Sequence, residues 1–340
     1  MNNDRLRRGA ALAFASILAG TAFLGANAPR PAQAADLSAS FLPADSLRLL
    51  GKDGRFTILL LGSDARPSLS GLRTDAILIA SIDPRTGKAA IASIPRDTAY
   101  FPLAPLRTGK FAPKINGLYS WIKLHYPARN PGTELRKIIG KGIGIEIDAY
   151  AIVGFEAFRN LVNNVGGLDV LVGTKVCDYN YWISRTVHVV CFAKGWNHVK
   201  DLRALAFARI RHTPGGDYAR AGRQQQLIKA AVGKVRTRGL ASLASLLFAG
   251  RGLYKTDLPS LATYAPLIFA MASQTNLSTV KRVVFRPTTF AYGISGSRIV
   301  LKMAPVRQWV TNYFPPKHYL GTWLPPEPTP TPTPIPTPTP

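Results

Sequence analysis

The chain has 340 residues, 46% of them hydrophobic, and a formal net charge of +25. The apolar share is enough for a real core, which a wholly disordered polyelectrolyte would lack, and the length allows one large domain or two ordinary ones. The charge calls for polyanionic partners (nucleic acid, anionic wall polymer or an anionic membrane surface) and says nothing about fold.

Residues 1–34 read as an export segment. Arg5, Arg7 and Arg8 form a positive start, Ala10 to Ala28 is apolar and small, and Ala32-Gln33-Ala34 matches an A-x-A cleavage site. An uncleaved anchor with its positive end inside is the alternative. Either way the rest of the chain is expected outside the cytoplasmic membrane, anchored or secreted. Export and the lack of a DNA- or RNA-binding motif argue against nucleic acid as a partner. Residues 35–54 read as a linker.

Phe56 to Leu61 is a continuous apolar run closed by Gly62, the mark of a central buried strand. Asp64 follows its end. Arg73-Thr74-Asp75 opens a second strand, Ala76 to Ile82, and a turn at Asp83–Gly87 leads to a third, Lys88 to Ile94, closed by Pro95-Arg96-Asp97. A hairpin of the last two brings Asp75 and Arg96 to one edge. Asp64 joins them if the first pair is antiparallel. Carboxylates held close at such a rim suggest a metal or a shared proton, although Asp is also an ordinary turn residue.

Residues 98–132 are rich in Pro, Gly and aromatics. Glu134 to Ile139 is helical in character, and Gly140 to Gly144 reads as a loop that fails the P-loop pattern. Tyr150 to Val153 suggests a strand, Gly154 to Val165 an amphipathic helix ended by Gly166-Gly167, and Leu168 to Val172 another strand. The excursion over residues 173–198 holds Cys177 and Cys191, which in an exported chain favour a disulfide over free thiols. A zinc site using His188 lacks a clear fourth ligand.

Lys200 to Ala208 reads as a helix running into the stretch Phe207–Leu227, which carries Arg209, Arg211, Arg220 and Arg223. Arginine suits phosphate because its planar fork carries five donors and keeps its charge. Arg209 and Arg211 share a face if the segment is extended, and Arg220 and Gln224 share one if it is helical. Pro214-Gly215-Gly216 is a turn, with Asp217 placed to cap the next helix, Tyr218 to Val235. A solvated basic face is the bland alternative. Leu240 to Gln274 is helical with breaks at Gly250–Gly252 and Pro259, Arg282 to Arg286 a strand, and Val306 to Tyr313 a helix. From Pro325 onward alternating Pro and Thr favour extended polyproline II, so residues 317–340 are expected to be a disordered tail.

Leu-Leu-Leu-Gly-Ser-Asp-Ala-Arg (59–66), Gly-Leu-Arg-Thr-Asp (71–75), Ser-Ile-Pro-Arg-Asp (93–97), Lys-Ile-Asn (114–116) and the arginine-rich run through 209–225 together resemble the LytR-CpsA-Psr family of bacterial envelope proteins. The likeness is strong over residues 55–235 and looser to 316. It implies an α/β fold, a three-layer α/β/α domain with a central mixed β-sheet over 55–316, that holds a polyprenyl pyrophosphate in a long apolar pocket. It also implies a phosphotransferase that moves a phosphate-linked glycopolymer from that carrier to a peptidoglycan hydroxyl. Asp64 and Asp75 match magnesium-binding aspartates. Arg73, Arg96, Arg209, Arg211, Arg220 and Gln224 match pyrophosphate contacts, with Lys114 and Asp217 as further polar residues of the site. Asp75, Arg73, Arg96, Arg211 and Asp217 form the expected catalytic group, with Asp75 or Asp217 left open as proton acceptor. Mg²⁺ suits carboxylates plus phosphate oxygens, and phosphoryl transfer needs positioning and charge neutralisation more than a covalent nucleophile. A hydrolase of the same pyrophosphate and a non-enzymatic wall-polymer or lipid binder remain the alternatives.

Overall fold

The computed structural model of the chain describes residues 53–64, 72–84, 86–182, 188–249, 254–258 and 261–316, with side chains left aside at 240–249, 254 and 261–267. The expected export segment, nearly all of the linker and the Pro/Thr tail lie outside these residues. Among the described residues no helix is long and apolar enough to cross a membrane.

The chain opens with a meander of three strands, β1 (Phe56–Ser63), β2 (Thr74–Ile82) and β3 (Ala89–Ser93), each antiparallel to the next. The face that bears Leu59, Leu61, Ile77 and Ile79 is fully buried, while Ile58, Leu60 and Ala80 on the other face are half-buried. A ribbon of β4 (Phe101–Pro102) and β5 (Lys110–Phe111) follows, then a 3₁₀ turn, α1 (Leu118–His125) and α2 (Pro131–Ile143). Asn130 caps α2 by accepting from the backbone N–H groups of Gly132 and Thr133, with Pro131 at the first helical position. The expected loop at Gly140–Gly144 is instead the end of this helix, with Gly144 as its left-handed cap. The glycines that suggest a loop serve close packing: a Cβ on Gly140 would stand 2.6 Å from the Ile145 carbonyl oxygen, and one on Gly142 2.7 Å from the Phe101 ring.

Next come β6 (Ala149–Val153), parallel to β1, then α3 (Phe155–Asn164) and a long two-stranded arm. The arm's base pairs β7 (Leu168–Val172) with β10 (Gly195–Val199), and its outer part pairs β8 (Val176–Asp178) with β9 (Val190–Phe192). Cys177 faces Cys191 in that outer pair, and their sulfurs are bonded. The helices α4 (Asp201–Arg209) and α5 (Gly216–Ala249) follow. The second is broken at Gly239, where φ is 79° and ψ 175°. The stretch expected to be helical around residue 250 contains a short strand, β11 (Tyr254–Thr256), before α6 (Leu261–Gln274). β12 (Lys281–Val284), a hairpin of β13 (Ala291–Ile294) and β14 (Arg298–Leu301), and α7 (Met303–Tyr313) complete the described chain. Sequence reasoning missed the hairpin.

The central sheet is six-stranded and mixed, in the order β11-β6-β1-β2-β3-β12. Leu59, Leu61, Ile77 and Ile79 on one face pack with α1, α2 and α7 through Ile122, Leu135, Ile138 and Val306, all essentially fully buried. On the other face α5 lies over β3 and β12, where Gln225 donates to Ser93 Oγ at 2.8 Å and to the Val283 carbonyl at 2.7 Å. α6 packs on α5 through Val235 and Ala272. The result is the three-layer α/β/α arrangement that the resemblance implies. A second core under the arm joins Val162, Val170, Phe192, Phe207 and Leu227. Full burial of each such side chain contributes about 1.5–3 kcal/mol. At the far end of β1 the Thr57 N–H donates to the Asp148 carboxylate at 2.7 Å, while the Asp148 N–H donates to the Thr57 carbonyl at 2.8 Å.

Candidate functional site

The meander register places Ser63 opposite Thr74, with an irregularity after Gly62. Asp64 and Asp75 therefore lie at one rim, as the hairpin geometry predicts. The loop after β3 brings Arg96 to the same rim. Its Nη1 lies 3.2 Å from Asp75 Oδ1 and its Nε donates to Asp217 Oδ2 at 3.0 Å. One guanidinium thus ties the meander to the start of α5 across 121 residues of sequence. Burial pulls the Arg96 pKa down, but Asp217, Asp75 and Asp97 more than offset it, so the group sits above its ordinary value.

Asp217 was expected to cap α5. The helix begins one residue earlier, at Gly216, and Asp217 is in its first turn. The preceding glycines supply that entry, with φ of 84° at Gly215 and 51° at Gly216, angles that favour glycine. The Asp217 carboxylate goes to cations instead of backbone: Oδ2 to Arg96, and Oδ1 to Arg220 Nη1 at 3.2 Å. Charge pairing outcompetes a cap hydrogen bond here.

Arg220 is 8% exposed and also donates to the Asp75 carbonyl at 3.3 Å. Arg223, equally buried, donates to the Ile210 carbonyl. Burial lowers both guanidinium pKa values; Asp217 partly opposes this at Arg220, and neighbouring Arg220 adds to it at Arg223, which falls to about 10. The Nε of each is a buried donor with no acceptor among the described residues. Such orphaned donors are uncommon and mark functional sites among other causes. Gln224 donates to the Ala208 carbonyl at 3.1 Å. Asp75, Arg96, Asp217, Arg220 and Gln224 all line a cleft of about 370 Å³.

Of the other expected residues, Lys114 adjoins this group through Asp97, a residue of the cleft, and none of Arg73, Arg209 and Arg211 lines it. Lys114 Nζ meets Asp97 Oδ1 at 2.6 Å, and Arg73 is exposed just before β2. Arg209 and Arg211 do not share the face of an extended segment. Arg209 is the last residue of α4, with its guanidinium 4.2 Å from the centroid of Phe155 and donating to Tyr181 Oη at 3.3 Å. Arg211 follows in the loop, exposed, and its backbone is gripped by Asp178. That carboxylate accepts from the N–H groups of Arg211 (2.9 Å), His212 (3.0 Å) and Asn180 (2.9 Å). Burial pushes the Asp178 pKa up, but these donors outweigh it and hold it below the ordinary value.

Sequence reasoning did not select Asp178, Asn116, Asp97, Tyr218 or Arg223 as site residues. Asn116 donates to Asp75 Oδ1 at 3.2 Å. Asp97 and Asn116 sit in motifs already read and were within reach. Asp178 carries no local signal, because its partners lie 33 and 34 residues away.

A fold of this layout, with arginines and acids gathered at the strand ends, defines an α/β protein with a charged cleft at one rim of its central sheet. The sequence profile of the LytR_cpsA_psr family matches residues 29–289. The chain belongs to that family. It is 32% identical over 211 residues to a protein of Bacillus mycoides (strain KBAB4) named polyisoprenyl-teichoic acid–peptidoglycan teichoic acid transferase TagU, covering 62% of each chain. It is 32% identical over 183 residues to TagV of Bacillus subtilis (strain 168), which bears the same transferase name, covering 53% of this chain and 44% of the relative. The match thus spans less than two thirds of these curated relatives. The crystal structure of B. subtilis TagV superposes with a TM-score of 0.60 at 24% identity, over 77% of this chain and 98% of that one, a likeness of fold.

Proposed function

We propose that this protein is a phosphotransferase that moves a phosphate-linked glycopolymer from a polyprenyl-pyrophosphate carrier to a peptidoglycan hydroxyl, outside the cytoplasmic membrane. The observation that carries this reading is Arg220, a buried arginine whose Nε has no acceptor among the described residues, in a cleft also lined by Arg96 and by the carboxylates of Asp75, Asp97 and Asp217. The names of the relatives supply the substrate class.

In this mechanism Arg96, Arg220 and Gln224 receive the pyrophosphate oxygens. Arg73, Lys114, Arg209 and Arg211 flank them. The carboxylates keep the guanidiniums in place before substrate arrives, so little reorganisation is needed during transfer, the condition under which fixed charges lower a barrier most. Attack by the acceptor hydroxyl on the sugar-linked phosphorus releases polyprenyl monophosphate. Asp217 has both oxygens committed to arginines and holds them in position. Asp75 commits Oδ1 to Arg96 and Asn116, while its Oδ2 has no hydrogen bond among the described residues. Asp64 has no ion pair among the described residues. Two carboxylates with open oxygens fit Mg²⁺, which takes one or two carboxylates and completes its shell with water and substrate phosphate. Asp64 and Asp75 would hold the ion, and it would neutralise charge on the phosphates.

The test is product analysis. Purified protein is given a lipid-pyrophosphate-linked oligosaccharide, Mg²⁺ and peptidoglycan fragments, and products are identified by mass spectrometry. Glycan joined to peptidoglycan through one phosphate supports transfer. Free glycan phosphate in equal amount with and without acceptor would make it a hydrolase. Full activity of an Asp64→Ala, Asp75→Ala double variant would remove the metal assignment.

A further inference from the structure

Among the described residues, the cations that line the cleft are matched to carboxylates, with one exception. Arg96 bridges Asp75 and Asp217, and Arg220 pairs with Asp217. Arg298, the first residue of β14, lines the same cleft. Its Nε donates to the Ser295 carbonyl at 3.0 Å, within its own turn, and its Nη groups make no hydrogen bond or ion pair among the described residues.

Its position is fixed by backbone. The neighbouring Ile299 pairs with the segment that carries Arg96: its N–H donates to the Asp97 carbonyl at 3.1 Å and its carbonyl accepts from Ala99 at 2.8 Å. The β13–β14 hairpin is thereby fastened to the loop that positions the site. The guanidinium lies 6.0 Å from the centre of the Tyr100 ring, a cation–π contact that steadies the arm without using its donors. Left-handed backbone clusters at this spot, with φ of 52° at Tyr100 and 55° at Ser297, and both are non-glycine residues that a turn must hold in place. Arg298 also lies beyond residues 29–289 matched by the family profile.

We propose that Arg298 reads the charge of the donor glycan: it is the cleft's contact for a phosphate in the polymer repeat, beyond the pyrophosphate itself. This rests on the phosphotransferase reading. A planar guanidinium with free Nη donors matches a phosphodiester bidentately, and being uncommitted to a carboxylate it has no partner to give up on binding. The pyrophosphate jaw serves any such donor, whereas the hairpin favours a polymer whose repeats carry phosphate over a neutral one.

The experiment measures dissociation constants by isothermal titration for two synthetic donors, farnesyl-pyrophosphoryl-N-acetylglucosamine and the same compound extended by one glycerol phosphate. The readout is the ratio of the two constants. We expect the unaltered protein to prefer the extended donor by about tenfold, the size of one charge-assisted hydrogen bond. The ratio falls to about one in Arg298→Gln and is partly kept in Arg298→Lys; thermal melts confirm that both variants fold. A preference that persists in Arg298→Gln, or that is absent in the unaltered protein, overturns the role of Arg298 while leaving the transferase reading intact. If neither donor binds the unaltered protein, both fall together.

Discussion

Asp148 gives the sharpest quantitative expectation. Burial raises its carboxyl pKa to about 8, only partly opposed by the Thr57 N–H and Arg136, with Asp53 and Glu146 adding to the rise. The ordinary value is about 3.9. A carboxyl whose folded pKa is raised favours the folded state while it is protonated in both states, below about pH 4. The unfolded chain sheds the proton first, so this contribution drains away as pH rises from about 4 to 8. A displacement of about four units corresponds to roughly 5 kcal/mol at most, at 1.36 kcal/mol per unit. Solvent access and relaxation at this half-buried carboxyl reduce it to about half. Asp148→Asn keeps an oxygen acceptor for Thr57 and does not titrate. The variant should therefore gain about 2–5 kcal/mol over the parent at pH 8.5, with the gap closing toward pH 4. Urea unfolding of both proteins at pH 4.5, 6.5 and 8.5 measures it. A difference that does not change with pH would show that Asp148 is ionised in the folded protein at all three values and refute the reasoning.

Three further outcomes follow from the site and its supports. Arg96→Ala should lower kcat/KM for transfer about 10²–10³-fold with an unchanged circular dichroism spectrum, and Arg96→Lys should restore little, because one ammonium cannot reproduce the fork that spans Asp75 and Asp217. Asp178→Ala should cost about 2–4 kcal/mol of stability by stranding the Arg211 and His212 N–H groups, and should raise KM more than it lowers kcat; unchanged steady-state constants would detach Arg211 from the site. Since the Asp178 pKa is held low, its contribution is present above the ordinary carboxyl range and lost as pH falls below it. The double variant Cys177→Ser, Cys191→Ser should lose about 3 kcal/mol, the chain-entropy value for a loop of this size, read as a lowered melting temperature; an unaltered melt would show that the hairpin holds without its link.

The central meander was legible because buried strands leave uninterrupted apolar runs, and its hairpin geometry correctly joined Asp64, Asp75 and Arg96 at one rim. Elements whose residues answer to distant partners were less legible. The end of α2 looks like a loop because its glycines are chosen for approach to Phe101 and Ile145. Asp217 looks like a cap because the pull of Arg96 is invisible along the chain. β13 and β14 are four residues each, too short for a period to emerge, and residues of their hairpin line the cleft. Spacing indicates which types of side chain gather; which one faces the cleft was decided by tertiary contacts such as Asp178 with the Arg211 backbone.

The two edges of the central sheet bear on how the protein meets further copies of itself. β11 and β12 are only three and four residues long, and the exposed side chains of Lys255, Lys281 and Arg282 stand on them. A second copy that tried to extend the sheet would find a short ledge and a like charge, repeated over a molecule of net charge +25. The brevity and charge of these margins guard the molecule against polymerising edge to edge.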